Sequence, residues 1–282
     1  MTRPSRAAYQ VLDEKQGFDG GAAEAVEAIR SQRGRFLARV SDLPADTWHA
    51  DTRCAGWNVH DVVRHVRDVA AMGVHQLGGP RPDFLVSERF RFHPARTPAQ
   101  WLEFSSAESP EDTVRALARV VELEDTLLRE KAEAGSQETV PGPLRRRLHW
   151  SVAAVHILWD AWMHERDILL PRGVSPACPE SELRVVARYG LMAAAAPSAW
   201  SGEHVVTSLE LKGGPDARYS VSQQDGTIRV TGWSTSGPSD LSGVCEEVLD
   251  SLAGRGPEVA AVLTGSDPAA VEKLARLRAV AT

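Results

Sequence analysis

The chain has 282 residues, 43% of them hydrophobic and 25% charged, enough for a sizeable buried core and for more than one typical domain. Its 32 basic and 38 acidic residues leave a net charge of −6, which argues against nucleic acid or an anionic membrane as the main partner. Residues 1–16 carry no apolar run of the kind a secretory signal needs, and no stretch approaches the roughly 20 apolar residues of a membrane helix, so the cytosol is the expected address.

In chain order, residues 1–21 end in Gly20-Gly21 and read as a loosely held extension. Val26, Ile29, Phe36, Leu37 and Val40 recur near helical spacing and predict a long helix over 22–40. A second helix begins after Trp57, with Asn58 as N-cap and Asp61 three residues on, a capping box in which Asp replaces Glu or Gln. Residues 78–100, with Gly, Pro, Phe84, Phe90 and Phe92, suit a long ordered loop. Ser109-Pro110 followed by Glu111 and Asp112 opens a third helix. Pro141-Gly142-Pro143 breaks the chain before a fourth over 144–170, and a fifth runs over 179–196, ending near Pro197. Arg145-Arg146-Arg147 reads as a solvated helix start in preference to a phosphate site. Long helices with short connections make an up-and-down bundle.

The pattern changes after Trp200. Residues 204–212, 217–223 and 227–232 alternate or are β-branched, and Gly213-Gly214 and Asp225-Gly226 separate them as hairpin turns. Two short helices are expected over 240–253 and 267–280. The fold class is therefore α+β: an extension (1–21), a helical-bundle domain (22–200) and a small α+β domain (201–282).

The fourth helix carries most of the chemistry. Leu148, Val152, Val155, Trp159 and Trp162 form one stripe, and His149, His156, Asp160, His164 and Asp167 form a second about a quarter-turn further round. Apolar faces flank the polar stripe, so much of it is expected to be buried, which is costly unless the groups are paired or bind a metal. Asp160 and His164 are i and i+4 and converge on one spot. On the second helix His65 shares a face with Val62, Val69 and Met72, while His60 is displaced and expected to face outward. A hydrogen-bonded core histidine is one reading of His65, and a third ligand beside Asp160 and His164 is the other. Cys54, Cys178 and Cys245 form no C-x-x-C pair, so neither a disulfide framework nor a cysteine zinc site is indicated. Cys54 is expected to be a packed thiol in preference to a nucleophile.

Residues 52–65, T-R-C-A-G-W-N-V-H-D-V-V-R-H, resemble the N-terminal signature of the mycothiol-dependent maleylpyruvate isomerase family, which belongs to the DinB-like four-helix-bundle metalloproteins. Residues 160–168, D-A-W-M-H-E-R-D-I, are similar to that family's second motif, and the resemblance covers roughly 22–200, with weaker motifs beyond. It implies a DinB-like bundle in which His65, Asp160 and His164 bind a metal. The family's isomerase has Glu where this chain has Asp160, one methylene shorter, which leaves His156 as a reserve ligand or supporting partner.

Two imidazoles and one carboxylate suit Zn2+ and leave a fourth position open, the pattern of a catalytic site. The resemblance implies mycothiol as the co-substrate thiol, deprotonated at the metal and directed at a small electrophile. An isomerase would add the thiol to a double bond, allow rotation and expel it, and a transferase would leave it on the product. Asp167 is placed to orient an imidazole N–H, or is a surface carboxylate. Arg81, Arg89 and Arg91 are candidates for anionic substrate groups, or solvated arginines. Trp57, Trp159 and Trp162 are expected in the bundle core in preference to a pocket wall. A zinc hydrolase using bound water and a metal-stabilised module without turnover are the competing readings.

Overall fold

The structure is a computed structural model that describes residues 22–85, 96–142, 147–201, 205–224, 227–233 and 237–265. The extension 1–21, Arg89, Arg91, Phe90, Phe92, Arg145, Arg146, the Asp225-Gly226 turn and the helix expected over 267–280 lie outside the described residues. The fold is α+β, with a helical N-terminal part and a small sheet.

One compact unit consists of Ile29–Ser136 and Asp160–Ala177. It holds most of α1 (Ala22–Ser41), then α2 (Val59–Gln76), α3 (Thr97–Phe104), α4 (Pro110–Glu133) and the second half of α5 (Trp150–Leu169). The predicted capping box is formed, and Ser109 caps a further helix. The Asn58 side chain accepts the Asp61 backbone N–H at 2.9 Å and the Asp61 carboxylate accepts the Asn58 N–H at 3.1 Å, which fixes the first turn of α2. Ser109 Oγ accepts the Asp112 N–H at 3.2 Å, and Pro110 takes the first position of α4. Phe36, Val40, Val59, Val62, Val63, Val66, Leu117, Ala161 and Ile168 form the core, joined by Trp48 from a short 3-10 turn. Buried ion pairs lock α1 to its neighbours: Arg33 to Glu124 of α4 at 2.7 Å, and Arg35 to Glu165 of α5 at 2.7 Å.

The second unit draws its described residues from Met1–Ala28, Gln137–Trp159 and Cys178–Thr282. Here β1 (Thr139–Pro141) and β2 (Arg147–His149) make a two-stranded antiparallel ladder, with Val140 opposite Leu148, that leads into α5. α6 (Glu180–Ser201) packs on β4 (Arg218–Gln224) and β5 (Thr227–Trp233) of a sheet ordered β5-β4-β3-β6-β7, in which β3 is Val205–Lys212, β6 Leu241–Val244 and β7 Thr264–Gly265. β3, β4 and β5 are the predicted antiparallel strands. Leu209 and Leu211, Tyr219 and Val221, and Ile228 and Val230 are buried at alternate positions along them.

Several elements depart from the sequence reading. The fourth helix starts at Trp150 and not at 144, because β2 occupies the preceding residues. α3 interrupts the segment expected as loop, burying Trp101 and Leu102. α6 continues through Pro197 to Ser201. The segment expected as helix from 240 opens with β6 (Leu241–Val244), parallel to β3, before α7 (Cys245–Leu252) and the short α8 (Val259–Val262) and β7 (Thr264–Gly265).

Candidate metal centre

The loop before α2 is built residue by residue for its position. The Trp57 N–H donates to the Cys54 carbonyl at 3.0 Å, closing a four-residue turn whose third residue, Gly56, has φ +80. Such a turn needs positive φ at that position and therefore glycine. The Thr52 hydroxyl accepts the Cys54 N–H at 3.1 Å and donates to the Trp57 carbonyl at 2.9 Å. An isolated bridge pairs Asp51 with Asn58, so the chain enters the capping box already folded back. Trp57 is thereby held against both candidate ligands, with ring centroids 5.1 Å from His65 and 6.3 Å from His164.

α5 is buried on all sides, with only His156 half-exposed. His65, Asp160 and His164 are 3%, 7% and 1% exposed, and one donor atom from each lies within 4.8 Å of the others. His65 Nε2 is 3.6 Å from Asp160 Oδ1, and His164 Nε2 is 3.7 Å from the same oxygen. Both separations are too long for a hydrogen bond. They are close to the about 3.4 Å between neighbouring donors in a tetrahedron whose bonds are roughly 2.0–2.2 Å. The His164 Nε2 atom is buried with no hydrogen-bond partner. Leaving a buried polar atom unsatisfied costs about 1–3 kcal/mol, and a shared cation removes that cost. The donor set therefore fits a divalent metal.

The opposite edge of the His164 ring is fully engaged. Its Nδ1 lies 3.0 Å from Asp167 Oδ2, at hydrogen-bond distance from a carboxylate that can only accept when ionised. Asp167 is itself held by Arg53, whose Nε donates to Oδ1 at 2.9 Å and whose backbone N–H donates to the Asp167 carbonyl at 3.1 Å. The Cys54 thiol donates to Asp167 Oδ2 at 3.0 Å and lies 3.5 Å from His164 Nδ1. Cys54, His164 and Asp167 thus form a second group of potential donors. The Arg53 guanidinium against its carboxylate makes it a hydrogen-bonded support for His164 and a poor place for a second cation. On α2, Asp68 is buried, and that burial raises its carboxyl pKa to about 6 against the opposing pull of Arg67.

Of the sequence candidates, His65, Asp160 and His164 are brought together and Asp167 contacts one of them. His156 is not among them: its Nδ1 pairs with the Tyr189 hydroxyl at 2.7 Å. Arg81 is exposed and donates to the Leu85 carbonyl of its own loop. His60 does not simply face outward. Its Nε2 meets Thr113 Oγ1 at 2.8 Å, its ring packs edge-on to Trp48, and burial lowers its pKa, helped by Arg64. Trp159 and Trp162 are buried, as expected. Cys54 was expected as a packed thiol, but its contact and that of Arg53 with Asp167 were not read from sequence, because that residue is more than a hundred positions away.

Comparison with known proteins shows the family of the chain. No curated protein matches the sequence. Among solved structures, the crystal structure of the mycothiol-dependent maleylpyruvate isomerase superposes with a TM-score of 0.57 at 17% identity, over 87% of this chain and 92% of that one. A histidine-to-alanine mutant of that isomerase gives 0.58 at 15% identity over the same shares. At these identities the likeness shows a shared fold. The sequence profile of the mycothiol maleylpyruvate isomerase N-terminal domain matches residues 29–169, half of the chain and the stretch that carries all three candidate ligands. The chain belongs to the mycothiol maleylpyruvate isomerase N-terminal domain family.

Proposed function

We propose that this enzyme is a mycothiol-dependent isomerase or thiol transferase whose centre is a divalent cation, zinc, held by His65, Asp160 and His164. The observation that carries the reading is the convergence of two imidazoles and one carboxylate at 3.6 and 3.7 Å in a buried setting, with His164 Nε2 unpartnered. The family membership and the named activity of the similar crystal structures supply the thiol and the reaction class. A divalent cation at these donors supplies the charge that keeps a bound thiol deprotonated near neutral pH, ready for an electrophilic carbon.

The chain's own groups do the rest. Asp167 keeps the His164 proton on Nδ1, so that Nε2 presents its lone pair. Arg53 prevents Asp167 from swinging away. Asp160, shorter than glutamate, reaches the site because it sits one helical turn before His164 on the same rigid helix. Trp57 covers one side of both imidazoles with apolar surface, which limits water there. No helix among the described residues is long and apolar enough to cross a membrane, and the reading places the enzyme in the cytoplasm with its thiol.

Calorimetric titration of the zinc-loaded protein with mycothiol tests the reading. It predicts uptake accompanied by proton release, lost when the metal is stripped by a chelator. Mycothiol binding that is absent, or equal in stripped protein, contradicts it. Incubation with maleylpyruvate and other activated electrophiles then separates the two reactions, since an isomerase returns the thiol free and a transferase leaves it on the product.

A further inference from the structure

The two candidate histidine ligands share a spacing. His164 is followed three residues later by Asp167, and His65 is followed three residues later by Asp68. Side chains at i and i+3 are neighbours on a helix face. On α5 the pair is closed, with Nδ1 and Oδ2 3.0 Å apart. On α2 it is open: His65 Nδ1 and Asp68 Oδ2 are both buried without a hydrogen-bond partner. The rest of Asp68 is fixed, because Arg67 grips Oδ1 at 2.7 and 2.9 Å, while Arg67 also pairs with Glu108. One donor and one acceptor thus wait unsatisfied on the same stretch of helix, at the spacing that forms a bond elsewhere in the chain. If Nε2 of His65 faces a cation, its proton must reside on Nδ1, the atom that lacks an acceptor.

We propose that Asp68 accepts the Nδ1–H of His65 when the centre is loaded, as the counterpart on α2 of Asp167 on α5. Asp68 is then a positioning residue: it fixes the His65 tautomer and ring orientation and strengthens the imidazole as a donor. The inference rests on the reading of His65 as a metal ligand. It also explains a buried carboxylate that Arg67 satisfies on one oxygen only. The centre becomes symmetric in construction, with each imidazole backed by its own aspartate.

The test measures zinc affinity of the wild type, Asp68→Ala, Asp68→Asn and His65→Ala by competition with a chromophoric chelator. It is paired with proton–nitrogen NMR of the histidine rings in the zinc-loaded wild type. Asp68→Ala is expected to weaken zinc binding about 10–100-fold, with Asp68→Asn recovering part of the loss through its amide oxygen. The wild-type His65 Nδ1 proton is expected to be visible and slow to exchange. A purely structural role for Asp68 would move the melting temperature and leave zinc affinity unchanged. Unchanged affinity in both Asp68 variants, beside lost binding in His65→Ala, overturns the inference alone. Zinc retained by His65→Ala overturns the metal centre and this inference with it. If Asp68→Ala fails to fold, the Asn variant and the wild-type ring proton still decide.

Discussion

Replacing Asp167 with asparagine probes the support beneath the centre with almost no change of shape. The carboxylate faces donors on both oxygens: Arg53 Nε at 2.9 Å on one, His164 Nδ1 and the Cys54 thiol at 3.0 Å on the other. An amide has one oxygen and one NH2 group, so either orientation sets a donor against a donor. Turned toward Arg53, the NH2 breaks an ion pair in which the aspartate is fully buried and the arginine is 19% exposed. Turned toward His164, it pushes the ring proton from Nδ1 to Nε2 and removes the lone pair that a cation would take. Losing a supporting partner of this kind lowers metal affinity about 10–100-fold, or about 1.4–2.8 kcal/mol. Breaking one side of a buried ion pair costs about 3–5 kcal/mol of stability, and the low end applies because Arg53 reaches water. Zinc competition at pH 7 and urea unfolding of the metal-free proteins read the two effects separately. Zinc affinity in Asp167→Asn equal to wild type would refute the claim that Asp167 sets the His164 tautomer.

Gly56→Ala tests the turn that carries Trp57. A Cβ there meets nothing within 4 Å, so the cost is that of forcing φ +80 on a residue with a side chain. That cost is about 1–2 kcal/mol, visible as a lower urea midpoint, and an unchanged midpoint would mean the turn is not held as described. Asp68 gives a pH signature in metal-free protein. Its folded pKa is raised from 3.8 to about 6 by burial, so its contribution to stability is fully present below 3.8 and is lost as pH rises through 6. Relative to Asp68→Asn, the wild type should therefore lose up to about 3 kcal/mol between pH 4 and pH 7. Parallel stability curves for the two proteins would contradict that shift.

Much of this architecture was readable from local chemistry, and the failures have a common cause. The start of α2 was legible because Asn58 and Asp61 satisfy each other's backbone within one turn. The candidate ligand helix was legible because Asp160 and His164 lie at i and i+4 on a polar stripe flanked by apolar faces. α3 escaped notice because it is only eight residues long and buries just Thr97, Trp101 and Leu102. β6 escaped because its four residues gain their partner, β3, from thirty positions upstream, and only Gly243 allows Val248 and Leu263 to pack so closely. The three-residue strands of the β1–β2 ladder are too short to show alternation. Arg53 and Cys54 look like ordinary loop residues, and their function exists only once α5 lies beneath them. Spacing within a helix is encoded nearby in the chain, while support from across the fold is not.

Metal analysis of purified protein tests the centre most directly, after zinc loading and exhaustive dialysis, on the wild type, His65→Ala and His164→Ala. The account predicts one divalent ion per wild-type chain and none retained by either variant, with both variants still folded by circular dichroism. Wild-type metal content in the two folded variants would contradict it.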